Sequence, residues 1–137
     1  MILDTSAIVA ILQDEPEAEA FARAVEEYRP VRLSAANWLE AAVVVDGNRS
    51  PALSRRFDAL LREAAVEIEP VTARQAELAR EAYRAFGRGS GHPAHLNFGD
   101  CFAYALAMER DEALLFKGND FANTDVRRAG VQRNRMQ

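Results

Sequence analysis

The chain has 137 residues, 49% of them hydrophobic, and a formal net charge of −4. This length suits one domain, and no apolar run approaches the roughly 20 residues that a membrane span needs. The net negative charge disfavours a protein that coats nucleic acid without a defined site. With no visible secretory signal, and with Cys101 as the only cysteine, we expect a cytoplasmic protein with no membrane association.

An acid follows the first apolar residues, in MILDTSAIVA. Residues 1–3 predict a buried strand, and Asp4 would then stand at its carboxyl end. Two interpretations remain open for Asp4: it caps the helix that follows, or it belongs to a site at the end of the strand. Ser6 has the same two options, because its hydroxyl could bond Asp4 or cap the helix AIVAIL.

The next elements are a surface helix in EPEAEAFARAVEEY, a short strand VRLS and a helix AANWLEAAVVVDG. The third is apolar on nearly every side, which predicts a central helix. Glu40 is the only charge in its stretch WLEAAVVV. A buried, unpaired carboxylate is costly, so we expect Glu40 to be neutralised, paired or bound to a cation, unless it lies on an exposed stripe or pairs with an Arg. Asn37 shares its face and could steady it, or could simply start the helix.

The second half of the chain continues the alternation of helices and strands. Ser50 and Pro51 start one helix, VEIEPV predicts a half-buried strand, and Thr72 with Gln75 forms a possible capping box. GRGSGHPAH predicts a loop, followed by a helix from about Gly99, a buried strand ALLF and the acidic turn segment KGNDFANTD. The order predicts an α/β fold, a parallel sheet with helices on both faces, and ligands beyond the carboxyl ends of its strands. The helix between VEIEPV and the loop should pack through one side, made of Ala76, Ala79, Tyr83 and Phe86.

Four acids fit that edge of the sheet. Asp4 ends the first strand, Glu40 lies in the apolar helix, and Asp120 lies just past the last strand. Asp100 opens a helix, where an acid is also favourable on electrostatic grounds alone. Taken together, the acids predict one cluster of oxygen ligands suited to Mg²⁺ or Mn²⁺.

In this order and spacing, the motifs MILDTSAIVAIL, Glu40 after the second strand, LNFGDCFAYALA and LLFKGNDF resemble the PIN-domain ribonucleases, in particular the VapC toxins of bacterial toxin–antitoxin pairs. The resemblance spans essentially the whole chain. It implies a single PIN domain over 1–137 and a parallel sheet of four to five strands flanked by helices. The basic residues of about 126–137 are expected to form a flexible tail or to contact RNA. The resemblance also implies that the catalytic and metal-binding acids are Asp4, Glu40, Asp100 and Asp120, with Ser6 as a supporting hydroxyl.

The chain departs from the family after the last core strand. Many members have a Ser or Thr and a further acid there, whereas this chain has Lys117 followed by Gly and Asn. Asp125 is therefore a rival of Asp120 for the fourth acidic position. Lys117, the only lysine, would stand at the mouth of the site, where it could contact substrate phosphate or pair with Asp120.

The function implied by the resemblance is a Mg²⁺-dependent endoribonuclease, with Mn²⁺ as a substitute, that acts as a toxin. Its partners would be RNA, a cognate VapB-type antitoxin and a second copy of the chain. Such an enzyme uses its metal to lower the pKa of a water and to offset phosphoryl charge.

A weaker proposal is that the two loop histidines, His92 and His95, contact RNA phosphates together with Arg84 and Arg88. Alternatives are a phosphorelay receiver-like domain, which should show an acidic pair at its first strand, and a metal-free PIN-like scaffold.

Overall fold

The structure, a computed structural model, describes residues 1–130. The helices and strands follow the predicted order, with two helices in succession between each pair of strands. In chain order they are β1 (Ile2–Leu3), α1 (Thr5–Leu12), α2 (Ala18–Glu27), β2 (Arg32–Ser34), α3 (Ala35–Gly47), α4 (Pro51–Glu63), β3 (Glu67–Glu69), α5 (Ala73–Phe86), α6 (Phe98–Arg110), β4 (Leu114–Leu115) and a short 3₁₀ helix (Phe121–Asn123).

The four strands form one parallel sheet in the order β3-β2-β1-β4. This confirms the predicted α/β fold with a parallel sheet of four to five strands. Strand β1 is central, since Ile2 lies beside Arg32 on one side and Leu114 on the other. The carboxyl ends of β1, β2 and β4 therefore meet at one edge, where Asp4 immediately follows β1.

Helices cover both faces of the sheet. Leu3 packs into a core with α1 to α4, whereas its neighbour Ile2 packs into a second core with α5 and α6. Successive strand residues point to opposite faces, which explains why a two-residue strand serves both cores. Both residues are almost fully buried, which fixes the backbone immediately before Asp4.

The helix starts follow the expected capping chemistry. Ser50 caps α4, with its hydroxyl accepting from Leu53 N at 3.2 Å. Thr72 caps α5 by accepting from Gln75 N at 3.1 Å, but the Gln75 side chain donates to Glu109 rather than returning to the cap. The α5 cap is thus half of the predicted reciprocal box.

The prediction that α3 is a central helix is wrong. It buries one stripe only, Asn37, Ala41 and Val45, spaced four residues apart. Its opposite side is apolar yet faces solvent. The exposed fractions are 36% for Trp38, 57% for Leu39, 64% for Val43 and 42% for Val44.

Helix α5 packs through only part of the predicted side, since Ala79 and Phe86 contact the second core. Its buried residues are Gln75, Ala79 and Ala82. Ala76 and Tyr83 instead line an open apolar cleft of about 320 Å³ between α5 and α6. The predicted half-buried strand β3 is a sheet edge whose central residue, Ile68, is 47% exposed.

The segment after the 3₁₀ helix returns to the sheet. Leu114 N donates to Arg127 O, and Ala129 N donates to Leu114 O, both at 2.8 Å. Ala129 is buried. The expected flexible tail therefore packs against β4 as far as Gly130, and 131–137 lie outside the described residues. Over 1–130, no helix is both long and apolar enough to span a membrane.

Candidate active site

Asp4 lies at the carboxyl end of β1 and is 3% exposed. It also caps α1, because its Oδ2 accepts from Ser6 N at 2.9 Å, so the two interpretations of this acid are compatible. Its Oδ1 is buried without a hydrogen-bond partner among the described residues. Burial raises the pKa of Asp4 to about 7, against the lowering effect of the Ser6 hydrogen bonds, and the charges of Asp100 and Glu40 raise it further.

Glu40 is half-buried and is held by hydroxyl and amide donors rather than by an arginine. Its Oε1 accepts from Thr5 Oγ1 at 2.5 Å and from Asn37 Nδ2 at 3.4 Å. The carboxylate lies directly against the backbone of Gly99, where a Cβ would come within 2.6 Å of Glu40 Cδ. Gly99 therefore lets α6 approach α3 at this point.

Asn37 also connects α3 to α6. It is fully buried, and its Nδ2 donates to Gly99 O at 2.9 Å. Its Oδ1 has no hydrogen-bond partner within residues 1–130. Sequence reasoning placed Asn37 beside Glu40 but missed Thr5 and Gly99, and the only available signals were a hydroxyl after Asp4 and a glycine before Asp100.

Asp100 is the third residue of α6 and forms a reciprocal capping box with Asn97. Asp100 N donates to Asn97 Oδ1 at 2.8 Å, and Asp100 Oδ2 accepts from Asn97 N at 2.9 Å. The pKa of Asp100 is raised, mainly by burial and also by Asp120 and Glu40, while the Asn97 N–H and the charge of Arg88 lower it. Asp100 therefore both caps the start of α6, as electrostatics predicts, and lies near other acids.

The two candidates for the fourth acid point to different surroundings. Asp120 is exposed, precedes the 3₁₀ helix and lies close enough to Asp100 to raise its pKa. Asp125 instead accepts a hydrogen bond from Tyr104 Oη at 2.5 Å. The structure therefore brings Asp120, rather than Asp125, near Asp100.

Ser6 and Lys117 connect the turn after β4 to the start of α1. Lys117 N donates to Ser6 Oγ at 3.0 Å. The Lys117 ammonium pairs with Glu15 and, at 3.4 Å, with Glu17. The expected pair with Asp120 is wrong, because the ammonium is directed to the connection between α1 and α2.

Asp4 and Asp100 are each influenced by the charge of Glu40, and Asp120 influences Asp100, yet the acids do not form a closed cage. Within residues 1–130, no three His, Cys, Asp or Glu side chains are grouped tightly enough to hold a metal ion by themselves. Mg²⁺ does not require such a cage, since it usually keeps several waters and uses one or two carboxylates. An all-oxygen donor set with an unpartnered buried oxygen, Asp4 Oδ1, fits that mode of binding.

Comparison with known proteins identifies the family. The family described as "PIN domain" matches residues 1–127. This chain belongs to the PIN-domain family. The PIN domain is 60% identical over 129 residues to "Ribonuclease VapC28" of Mycobacterium tuberculosis, covering 94% of this chain and 97% of that protein. It is 47% identical to "Ribonuclease VapC42" of the same species, covering 94% and 98%. Family membership excludes the receiver-like alternative.

Solved structures show the same fold at low identity. Mycobacterium tuberculosis VapC20, described as a "Sarcin-Ricin loop cleaving toxin", aligns with a TM-score of 0.69 and 17% identity, covering 91% of this chain and 95% of that one. A chain from a "Toxin-antitoxin complex from Klebsiella pneumoniae" aligns with a TM-score of 0.67 and 19% identity, covering 90% and 92%.

Proposed function

We propose that this PIN domain is a divalent-metal-dependent endoribonuclease that hydrolyses RNA phosphodiester bonds in the cytoplasm, as the toxin of a toxin–antitoxin pair. Two relatives at 60% and 47% identity carry the name ribonuclease VapC and match almost end to end. The observation that carries the chemistry is the unpartnered Asp4 Oδ1 with Glu40 and Asp100 near it and Asp120 near Asp100.

Asp4 and Asp100 would hold the cation, with Glu40 and Asp120 completing the site directly or through water. Bound Mg²⁺, or Mn²⁺ in its place, supplies positive charge for the phosphate and an acidified water. The other residues orient these carboxylates. Thr5 and Asn37 restrict Glu40, and the capping box directs one oxygen of Asp100 to the backbone, leaving the other for the site.

The direct test is RNA cleavage by purified protein with Mg²⁺ or Mn²⁺ and with EDTA. We expect cleavage that EDTA abolishes and that Asp100→Asn reduces at least about a hundredfold, because outer-shell changes alone cost 10–100-fold. Asp46→Asn, on the exposed end of α3, is the matched control and should cleave normally. Equal cleavage in EDTA would refute the mechanism, and absence of cleavage by wild type under all conditions would favour the scaffold alternative.

We also propose that a cognate VapB-type antitoxin inhibits the site. A groove of carboxylates is complementary to a cation, and Arg is preferred because its planar group bonds a carboxylate bidentately. The rest of such a tail would be amphipathic and would lie along α2 and α4. Replacing its site-facing Arg by Ala should reduce inhibition more than binding. Full inhibition by a tail with no cationic residue would contradict this charge argument.

The exposed apolar side of α3 supports the expected homodimer. Large apolar side chains rarely cluster on the surface of a monomer, and α3 exposes Trp38, Leu39, Val43 and Val44. Light scattering at micromolar concentration should give a dimer mass. Val43→Asp should give a monomer, whereas Ile68→Asp on the edge strand should leave the mass unchanged. A wild-type monomer would contradict the proposal.

A further inference from the structure

The connection between α5 and α6, residues 87–96, brings an arginine towards the acids. Arg88 lies at the start of this connection, and the far end of the connection leads into the capping box of Asn97 and Asp100. RNA phosphates approaching the acids meet several negative charges, so a cation beside the acids matters for binding. Arg88 can supply that positive charge.

Backbone hydrogen bonds place Arg88 close to Asp100. Arg88 N donates to Leu96 O at 3.0 Å, and Leu96 N donates to Phe86 O at 2.9 Å. The next residue, Asn97, donates its N–H to Asp100 Oδ2. These hydrogen bonds connect the start of the loop to the carboxylate of Asp100, so the backbone position of Arg88 is fixed.

The loop itself is held by internal bonds. Ser90 Oγ donates to Gly87 O at 2.7 Å and accepts from His92 N at 3.2 Å. His92 Nδ1 accepts from Ala94 N at 3.1 Å, and its ring packs edge-on against Phe86 with centroids 4.9 Å apart. His92 serves the loop conformation, which in turn fixes the backbone of Arg88.

The guanidinium of Arg88 is available for a ligand. It is exposed and forms no ion pair with any acid in the described part of the chain, whereas Lys117, after β4, is paired with Glu15 and Glu17. A free guanidinium matches two phosphate oxygens in a bidentate geometry.

We propose that Arg88 binds a backbone phosphate of single-stranded RNA next to the bond that the acid group addresses. This inference rests on the proposed function, since it names a substrate contact of the same site. Arg88 orients the strand and offsets the repulsion from the acids, while the metal-binding acids do the chemistry. The proposal assigns this phosphate contact to Arg88 and not to Arg84, which lies on α5 one helical turn earlier.

Salt dependence of binding isolates such a contact. Each phosphate contact to a single strand contributes about 0.7 to the slope of log K against log salt, so one contact is worth about five-fold per decade of salt. The probe is a labelled mixed-sequence oligoribonucleotide of about 12 nucleotides in EDTA, followed by anisotropy across KCl concentrations. Arg88→Gln should lower the slope by about 0.7, and Arg88→Lys should keep it. Arg55→Gln on α4 is the charge-matched control and should bind as wild type.

An unchanged slope in Arg88→Gln, or an equal loss in Arg55→Gln, would overturn the proposal. A slope loss shared by Arg88→Lys would also overturn it, because the residue would then act through the fold and not through its charge. Cleavage with Mg²⁺ separates this idea from the proposed function. Arg88→Gln should raise KM about five-fold and change kcat less than about two-fold. A slope loss with no cleavage by wild type would refute only the nuclease assignment.

Discussion

Replacing Asp4 by Asn should abolish cleavage and, at the same time, stabilise the metal-free protein at alkaline pH. The cause is the buried carboxylate, whose pKa is raised from 3.8 to about 7, mainly by burial. A carboxyl with a raised pKa favours folding when protonated. Its contribution is therefore fully present below about pH 4 and is lost as the pH rises through about 7.

The magnitude follows from that pKa. Each pH unit between 3.8 and about 7 is worth about 1.4 kcal/mol, so ionised Asp4 costs the fold about 4 kcal/mol at pH 8 and about 2 kcal/mol at pH 5. Asn removes this cost and can still accept from Ser6 N. It introduces an NH₂ group where Oδ1 has no partner and weakens the charge at the start of α1, together about 2 kcal/mol. We expect near neutrality at pH 5 and a gain of about 2 kcal/mol at pH 8.

Thermal unfolding of both proteins in EDTA at about pH 5 and about pH 8 measures this difference. For a chain of this size the gain at pH 8 corresponds to about 8 °C in Tm. Adding Mg²⁺ should stabilise wild type and not the variant, because only the wild-type site binds a cation tightly. The reasoning would be refuted by an Asn variant that is destabilised equally at both pH values.

Three further substitutions test the surroundings of the acids. Gly99→Ala should displace Glu40 and lower cleavage about 10–100-fold, since a Cβ there comes within 2.6 Å of Glu40 Cδ. Gly47→Ala, at a glycine with nothing within 4 Å, should leave cleavage and fold intact, and comparable activity in both variants would contradict the steric argument. Asp120→Asn should weaken Mg²⁺ activation, measured as the metal concentration for half-maximal cleavage. Asp125→Asn should leave that concentration unchanged and lower only Tm, through its bond to Tyr104; the reverse pattern would exchange their roles.

Local patterns in the sequence were enough to place the elements and two of the acids. Apolar runs predict the buried strands, and capping residues predict helix starts, because both depend on neighbours in the chain. Asp4 after β1 and Asp100 at the start of α6 follow from these signals together with the rule that parallel strands end at one edge. Glu40 stood out as the only charge of an apolar stretch and Asp120 as the acid just past the last strand, and the resemblance to the PIN family implied that all four acids are catalytic.

Tertiary structure decided the features that depend on distances between remote residues. Asp120 and Asp125 are equivalent in sequence terms, and only the path of the chain after β4 brings one near Asp100 and the other to Tyr104. The partners of Lys117 lie about a hundred residues earlier, in a segment that no local pattern connects to it. The apolar side of α3 is also exposed for a reason that the sequence does not contain. Apolar composition predicts that a helix gains free energy from burial, but its packing against the sheet determines which side is covered.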